Sequence, residues 1–149
     1  MIFVSSEDIE DANVMISDFG EAFLATENDH KTLCTPMTLL PPELFFHEHL
    51  GQPVDIWTAA HTLYEILGER PLFEGFMPDQ DDMIAEMIST LGPLSKHWWE
   101  QWEKKGDFFQ EDGSWREPTP ERTHEGFSRP LRERLLVMGR GEDPVGTRM

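Results

Sequence analysis

The segment between Val54 and Leu67 constrains the fold more than any other part of the chain. Its apolar residues recur at three- and four-residue steps, which is the spacing of a helix. They form two sets: Val54, Trp57, Ala60, His61, Tyr64 and Leu67 in one, and Ile56, Ala59, Leu63 and Ile66 in the other. A helix that is apolar on nearly every side belongs in the interior of a fold. Since Gly68 is placed to end the helix and Pro71 excludes its continuation, the sequence predicts a buried central helix over residues 53–67.

A second helix is predicted after the central one, and it is amphipathic. Its apolar stripe consists of Met83, Ile84, Met87, Ile88 and Leu91. Acidic side chains precede the stripe at Asp79, Asp81 and Asp82, where they favour the positive end of a helix dipole. One side of this helix should therefore pack on the core while the other faces solvent.

Two shorter helices are predicted in the last third of the chain. The string "KHWWEQWEKKG" indicates a helix with one aromatic face that closes near Gly106. Residues 127–138 predict a last helix, interrupted near Pro130. Together with the central helix, these elements make the predicted fold class mainly α.

The N-terminal third is predicted to contain little helix. Residues 13–17 form a short apolar run that ends at Asp18 and Gly20, which is typical of a buried strand entering a turn. Residues 21–33 are polar and without periodicity, so a surface loop is expected. Three prolines, Pro36, Pro41 and Pro42, exclude an ordinary helix across residues 34–43.

Composition limits the classes of partner and compartment. The 29 acidic residues against 12 basic ones give a formal charge of −17, which repels nucleic acid and anionic membrane and attracts basic proteins; solubility alone is the plain alternative. A single cysteine, Cys34, excludes an internal disulfide and a zinc site built from cysteines, so a reducing compartment, cytosol or nucleus, is expected. No apolar run approaches the ~20 residues that span a bilayer.

Three motifs in order resemble the C-lobe of a eukaryotic protein kinase. They are "ISDFGEAF", "TPMTLLPPE" and "PVDIWTAAHTLYEILGERPLFEG", similar to the metal-binding turn, the end of the activation segment and the buried central helix. The stretch "LGPLSKHWWEQWEKKGDFFQEDGSW" is similar to the insert of the group that holds the SR-protein, cyclin-dependent and MAP kinases (CMGC). Its aromatic-rich form looks most like fungal SR-protein-kinase-like sequences.

The resemblance also implies a domain organisation. Residues 1–12 would be a disordered or non-native start, 13–140 a partial kinase domain and 141–149 a tail, with the fold truncated at both ends. Within the partial domain, residues 18–43 would form the activation segment and about 92–118 the insert.

The resemblance assigns roles to residues of the turn and the activation segment. Asp18 matches the carboxylate that binds Mg²⁺ on the ATP phosphates, although an aspartate that caps its own turn is the plain alternative. Phe19 and Gly20 match the aromatic and the flexible residue of the turn. Thr35, Pro36, Pro42 and Glu43 match the loop that shapes the substrate pocket, with one residue more than the commonest spacing.

Two residues of the central helix match structural anchors. Asp55 corresponds to the aspartate that accepts backbone hydrogen bonds from the catalytic loop, and it also suits the start of a helix. Trp57 is expected in the core. His61 stands where many kinases carry a small residue, and a hydrogen-bonded core histidine is expected there.

The catalytic parts of a kinase are missing from this sequence. Only 17 residues precede Asp18, and they contain no glycine, no His-Arg-Asp-like motif and no strand lysine. The resemblance implies ATP and Mg²⁺ in the intact family, but this chain alone should neither bind them nor transfer phosphate. The sequence leaves two hypotheses: part of a protein serine/threonine kinase acting on proteins, possibly Arg/Ser-rich ones, or a catalytically dead remnant that binds a protein partner.

Overall fold

The computed structural model describes residues 15–17, 19–24, 26, 32–68, 70–74, 77–117 and 130–138. These residues form six α-helices: α1 Pro42–Phe45, α2 Pro53–Gly68, α3 Gln80–Leu91, α4 Lys96–Gln101, α5 Lys105–Phe108 and α6 Leu131–Val137. Two 3-10 turns, Phe19–Glu21 and Met37–Leu39, precede them. In these ranges the only β pairing is an isolated bridge between Phe109 and Trp115. The mainly helical fold class is confirmed, and none of the described helices is long and apolar enough to cross a membrane.

Prolines set the local structure before α2, as the sequence predicted. Residues 34–41 contain only a 3-10 turn, which begins after Pro36. Helix α1 then begins at Pro42, where a proline is tolerated because a first-turn N–H has no partner within the helix. Glu43 thus lies in the first turn of a short helix that carries Phe45 into the core.

The start of α3 has both halves of a capping box. The Asp79 carboxylate accepts from the Asp82 backbone N–H at 2.8 Å, and the Asp82 carboxylate accepts from the Asp79 N–H at 3.1 Å. These bonds satisfy N–H groups that would otherwise lack partners. Helix α3 ends where Gly92 adopts φ 97°, a conformation that favours glycine. The predicted amphipathic helix is confirmed.

The hydrophobic core is centred on α3. Five α3 residues belong to it, together with side chains from α1, the segment after α2, and residues 102–109. Its buried members are Leu40, Phe45, Phe46, Tyr64, Leu72, Phe73, Met83, Ile84, Ala85, Met87, Ile88, Trp102, Phe108 and Phe109. Tyr64 is the single residue that α2 contributes to this buried set.

The predicted burial of α2 on all sides is wrong, although its bounds match the prediction. One face is buried through Val54, His61 and Tyr64. On the other face Ile56 is 73% exposed and Ile66 is 69% exposed. Apolar composition does not bury a helix face unless another element covers it. Among the described residues, nothing covers this face.

The aromatic segment differs from the prediction in where its helix stops. Helix α4 ends at Gln101, and Gly106 lies inside the next short helix, α5. Aromatic packing explains the extra helix, because the Trp102 ring lies 5.2 Å from that of Phe108, which α5 turns inward. The Phe109 and Trp115 rings are 4.2 Å apart across the β bridge, which closes a small turn.

The strand predicted over residues 13–17 is not found in its described part. Met15 and Ile16 are 83% and 78% exposed and have no regular structure, while residues 13 and 14 lie outside the described ranges. A strand needs a neighbour to pair with, and the described residues offer none here.

The last predicted helix is confirmed from Leu131, directly after Pro130, to Val137, while residues 118–129 lie outside the described ranges. It is tied to the core through Arg134, whose guanidinium donates to the Leu72 carbonyl and pairs with the Glu86 carboxylate. The proposed boundaries at residues 12, 92, 118 and 140 stay predictions.

Candidate functional site

A groove of about 710 Å³ lies between the segment around Phe19, the loop around Thr35 and the start of α2. Residues from all three matched motifs line it, among them Phe19, Thr35 and Asp55. The fold therefore brings together side chains that are far apart in the sequence. This groove is the candidate functional site.

The turn after residue 18 forms one side of the groove. Phe19–Glu21 is a 3-10 turn in which the Ala22 N–H donates to the Phe19 carbonyl at 3.1 Å. The Phe19 ring is 67% exposed, so it is not packed into the core. Gly20 lies within the turn. Asp18, the predicted Mg²⁺ ligand, lies outside the described residues.

The loop that ends at α1 forms the second side. Thr35 is half-buried and lines the groove, and Pro36 begins the turn in which its carbonyl accepts from the Leu39 N–H at 2.9 Å. Pro42 is buried, which fixes the start of α1. The Glu43 carbonyl accepts from the Glu48 N–H at 2.9 Å, and no described basic side chain pairs with the Glu43 carboxylate.

The first turn of α2 forms the third side. Asp55 is exposed there and faces the groove, where the helix dipole favours its negative charge. Thr58, one turn later, donates from its hydroxyl to the Val54 carbonyl at 3.1 Å. Trp57 points the other way, half-buried against the core, with its indole ring 6.0 Å from that of Phe73. Trp57 thus packs against the core, as predicted, but is not fully buried in it.

The electrostatics of the groove are acidic. Its described lining includes the carboxyl groups of Glu21 and Asp55 and contains no lysine or arginine. Hydrogen bonding to Glu21, and then the charge of that carboxylate, raise the pKa of the nearby Cys34 thiol. Cys34 is exposed, and in this setting its reactive thiolate form is disfavoured.

The structure also shows a second polar surface that sequence reasoning missed. The Trp98 indole N–H donates to the Glu48 carboxylate at 2.7 Å, and the Trp102 indole N–H donates to Asp81 at 2.7 Å. Lys104 pairs with the same Asp81 carboxylate at 2.8 Å. A cleft of about 560 Å³ lies beside these contacts, between α1, α3 and α4.

Part of this second polar surface could have been predicted from the sequence. Trp98 and Trp102 are four residues apart, so the helix predicted from the sequence would carry them on one face. Two indoles on one face of an acidic protein predict carboxylate acceptors for their N–H groups. The identity of those acceptors could not be predicted, because Glu48 lies 50 residues before Trp98.

Comparison with known proteins gives one family. The family described as protein kinase domain matches residues 2–123. A serine/threonine protein kinase of Aspergillus fumigatus is 27% identical over 106 residues, which are 68% of this chain and 26% of that protein. An Aurora kinase of Yarrowia lipolytica is 39% identical over 61 residues, 41% of this chain and 16% of the relative. The serine/threonine-protein kinase PLK4 of Drosophila virilis is 36% identical over 67 residues, 44% of this chain and 9% of the relative.

These relatives support membership of the protein kinase family, but they do not identify a group of kinases within it. The chain spans about a quarter of the Aspergillus protein and less of the other two. Their names include Aurora and PLK4 kinases, so the likeness to SR-protein kinases is not confirmed by them.

Proposed function

The chain belongs to the protein kinase family, and we propose that it is the substrate-binding part of a protein serine/threonine kinase, without phosphoryl transfer of its own. The observation that carries this proposal is the groove in which residues of all three kinase motifs meet. The relatives named serine/threonine kinases support the choice of serine and threonine over tyrosine as the acceptor class.

The proposed lack of transfer follows from how the reaction works. Phosphoryl transfer depends on positioning and on charge stabilisation by a Gly-rich loop, a lysine, metal-binding side chains and a base. In this sequence the 17 residues before Asp18 supply no glycine and no His-Arg-Asp-like motif. Removing several parts that act together should abolish the rate rather than reduce it.

The family implies ATP and Mg²⁺ in the intact enzyme, where the metal neutralises charge on the transferred phosphoryl group. The described lining of the groove does not fit these groups. Glu21 and Asp55 would repel the phosphates, and no described lining residue carries a positive charge to hold them. Within the described residues, no cluster of three candidate metal ligands is found. Asp18 matches the family's metal-binding aspartate. In an intact kinase, the aspartate at this position would bind Mg²⁺.

The same charges favour a basic protein partner. Glu21 and Asp55 lie on two sides of the groove, and the whole chain carries a charge of −17. Opposite charges increase the rate and the specificity of association. We infer that the partner is a basic, Arg/Ser-rich protein segment in the cytosol or the nucleus, and not nucleic acid or membrane. The likeness of residues 92–118 to the SR-protein-kinase insert supports the same class.

Binding of a labelled peptide tests this proposal. The full chain should bind an Arg/Ser-repeat peptide more tightly than a Lys-free, Glu/Ser peptide of equal length, and salt should weaken the binding. A Glu21→Gln, Asp55→Asn double variant should bind the Arg/Ser peptide several-fold more weakly. Glu111→Gln, an exposed acid outside the groove lining, should not change binding. Equal binding by the double variant and the wild type would contradict the groove assignment.

A catalytically dead remnant that binds a protein partner is the second candidate function. The exposed apolar face of α2 favours it, because such a face brings partner binding or aggregation. The genomic reading frame distinguishes the two candidates. A His-x-Asp motif and a Gly-rich loop encoded upstream in frame would support the kinase, whereas stop codons and expressed protein of this length would support the remnant.

A further inference from the structure

His61 is a buried titratable side chain of α2 that the proposed function does not use. It is 2% exposed, and neither ring nitrogen has a hydrogen-bond partner. Its ring lies 5.0 Å from that of Trp57 and meets the ring of Phe73 edge-on at 4.9 Å. The hydrogen-bonded histidine predicted from the sequence is therefore buried as expected but lacks its bonds.

The Trp57 indole N–H beside it is also buried without an acceptor. Three polar atoms thus lie together in an apolar contact between α2 and the segment around Phe73. Buried polar groups without partners cost free energy, and most are hydrogen-bonded in native proteins. Opening this contact would give all three atoms access to water.

Charged groups occur on the neighbouring elements, but none of those described pairs with the imidazole. On α2 the nearest carboxylate along the helix face is Glu65, which is half-buried. On the segment after α2, Arg70 and Glu74 pair with each other at 2.8 Å in solvent. Glu86 of α3 pairs with Arg134 of α6.

We propose that His61 is an acid-sensitive latch: protonation of its imidazole opens the contact between α2 and the segment that carries Leu72 and Phe73. An imidazolium has two N–H donors and a charge, and the closed contact offers no acceptor for either. Water becomes its acceptor only when the Phe73 ring moves away. This device is independent of the proposed function.

Burial also lowers the pKa of His61 from its ordinary value of 6.5. Because the folded state holds the proton less tightly than the unfolded state, the closed contact is fully stable above about pH 6.5. Stability is then lost as the pH falls from there toward the lowered value. The closed form is thus favoured at neutral pH and becomes less stable as the pH falls below about 6.5.

Opening of the contact between α2 and the following segment would affect the hydrophobic core through Phe73. Its side chain is 1% exposed and belongs to the same cluster as Met83 and Ile84 of α3. The Arg134 guanidinium bonds the adjacent Leu72 carbonyl and so holds the segment closed from the other side. Protonation of one side chain would therefore loosen the junction between α2 and the α3-centred core.

NMR of the full chain with ¹⁵N-labelled histidine tests the proposal directly. The His61 ring should still be neutral at pH values below 6.5, where an imidazole of ordinary pKa would already be protonated. Exchange of the Phe73 amide, corrected for the intrinsic pH dependence, should accelerate as His61 titrates. A His61 ring that titrates at or above the ordinary value of 6.5 would overturn the proposal, and this includes the case in which the isolated chain does not fold.

Variants separate titration from packing. Between pH 7 and pH 5.5 the urea midpoint of the wild type should fall, while that of His61→Phe should fall less because its ring cannot be protonated. His49→Phe, at an exposed position, should follow the wild type. An equal fall for the wild type and His61→Phe would overturn the latch. If His61→Phe does not fold, the NMR titration of the wild type decides.

Discussion

Helices α2 and α3 are both strongly apolar, yet the structure buries them very differently. Helix α3 buries seven of its 12 residues, whereas α2 buries three of its 16. The difference lies in what surrounds them. Helix α3 is enclosed by α1, the segment after α2 and the aromatic residues 102–109, whereas the outer face of α2 has no described neighbour. The burial of a helix therefore depends on which elements are available to cover it. Its apolar composition shows only which faces need to be covered.

The two helices also divide the molecule by role. Helix α2 carries Asp55 at the candidate groove, beside the exposed Phe19. Helix α3 and its neighbours hold the packed and hydrogen-bonded part of the chain, including the indole contacts of Trp98 and Trp102. The groove-lining residues Phe19 and Asp55 are thus less covered than α3 and the elements packed on it.

The largest effect on stability is expected from a substitution that leaves a cavity beside α3. Met83 is 1% exposed, so Met83→Ala should lower the free energy of unfolding by about 2–5 kcal/mol, through lost burial and the cavity left behind. Met15→Ala, at a position that is 83% exposed, is the matched control and should change stability by less than about 0.5 kcal/mol. Urea unfolding followed by tryptophan fluorescence measures both. Similar losses for the two variants would mean that α3 is not the centre of the core.

A smaller effect is expected at the start of α3. Asp79→Ala removes the side-chain acceptor of the Asp82 N–H and should cost about 1 kcal/mol. Asp79→Asn keeps an acceptor at the same place and should cost less. The comparison by urea midpoint tests the cap itself, and an equal loss in both variants would assign the effect to charge instead.

The smallest effect on stability is expected on the outer face of α2. Leu63 is 60% exposed, so Leu63→Gln should change the free energy of unfolding by less than about 0.5 kcal/mol while raising solubility. Leu50→Gln, at a fully buried leucine, should instead destabilise the chain strongly. A large loss from Leu63→Gln would show that another element covers this face.

The sequence predicted helices well where the signals were local. The apolar stripe and the acidic residues before it indicated α3, and α2 ended at Gly68 as expected. The helix end predicted near Gly106 is wrong. The packing of Phe108, a tertiary effect, extends helical structure past Gly106. The strand expected before Asp18 failed over residues 15–17 because strands depend on partners that local sequence cannot supply.

The residues of the candidate site were predicted more from the kinase motifs than from hydrophobic periodicity. The motifs assigned Phe19 to the metal-binding turn, Thr35 to the substrate-pocket loop and Asp55 to a structural anchor. That all three line one groove could be seen only in the structure. The acidic lining by Glu21 was not predicted, and neither was the bond between Glu48 and Trp98, because both depend on contacts between distant segments. His61 was predicted to be buried, but its missing hydrogen bonds could be seen only in the structure.

The central proposal is that this chain forms the substrate-binding part of a kinase and does not transfer phosphate itself. The most direct measurement incubates the purified full chain with Mg²⁺, labelled ATP and an Arg/Ser-repeat peptide, beside an Asp18→Ala variant prepared in the same way. The account predicts equal, background incorporation of phosphate for both proteins. Incorporation by the wild type well above that of Asp18→Ala would contradict it, since Asp18 would then be holding a metal ion in a working site.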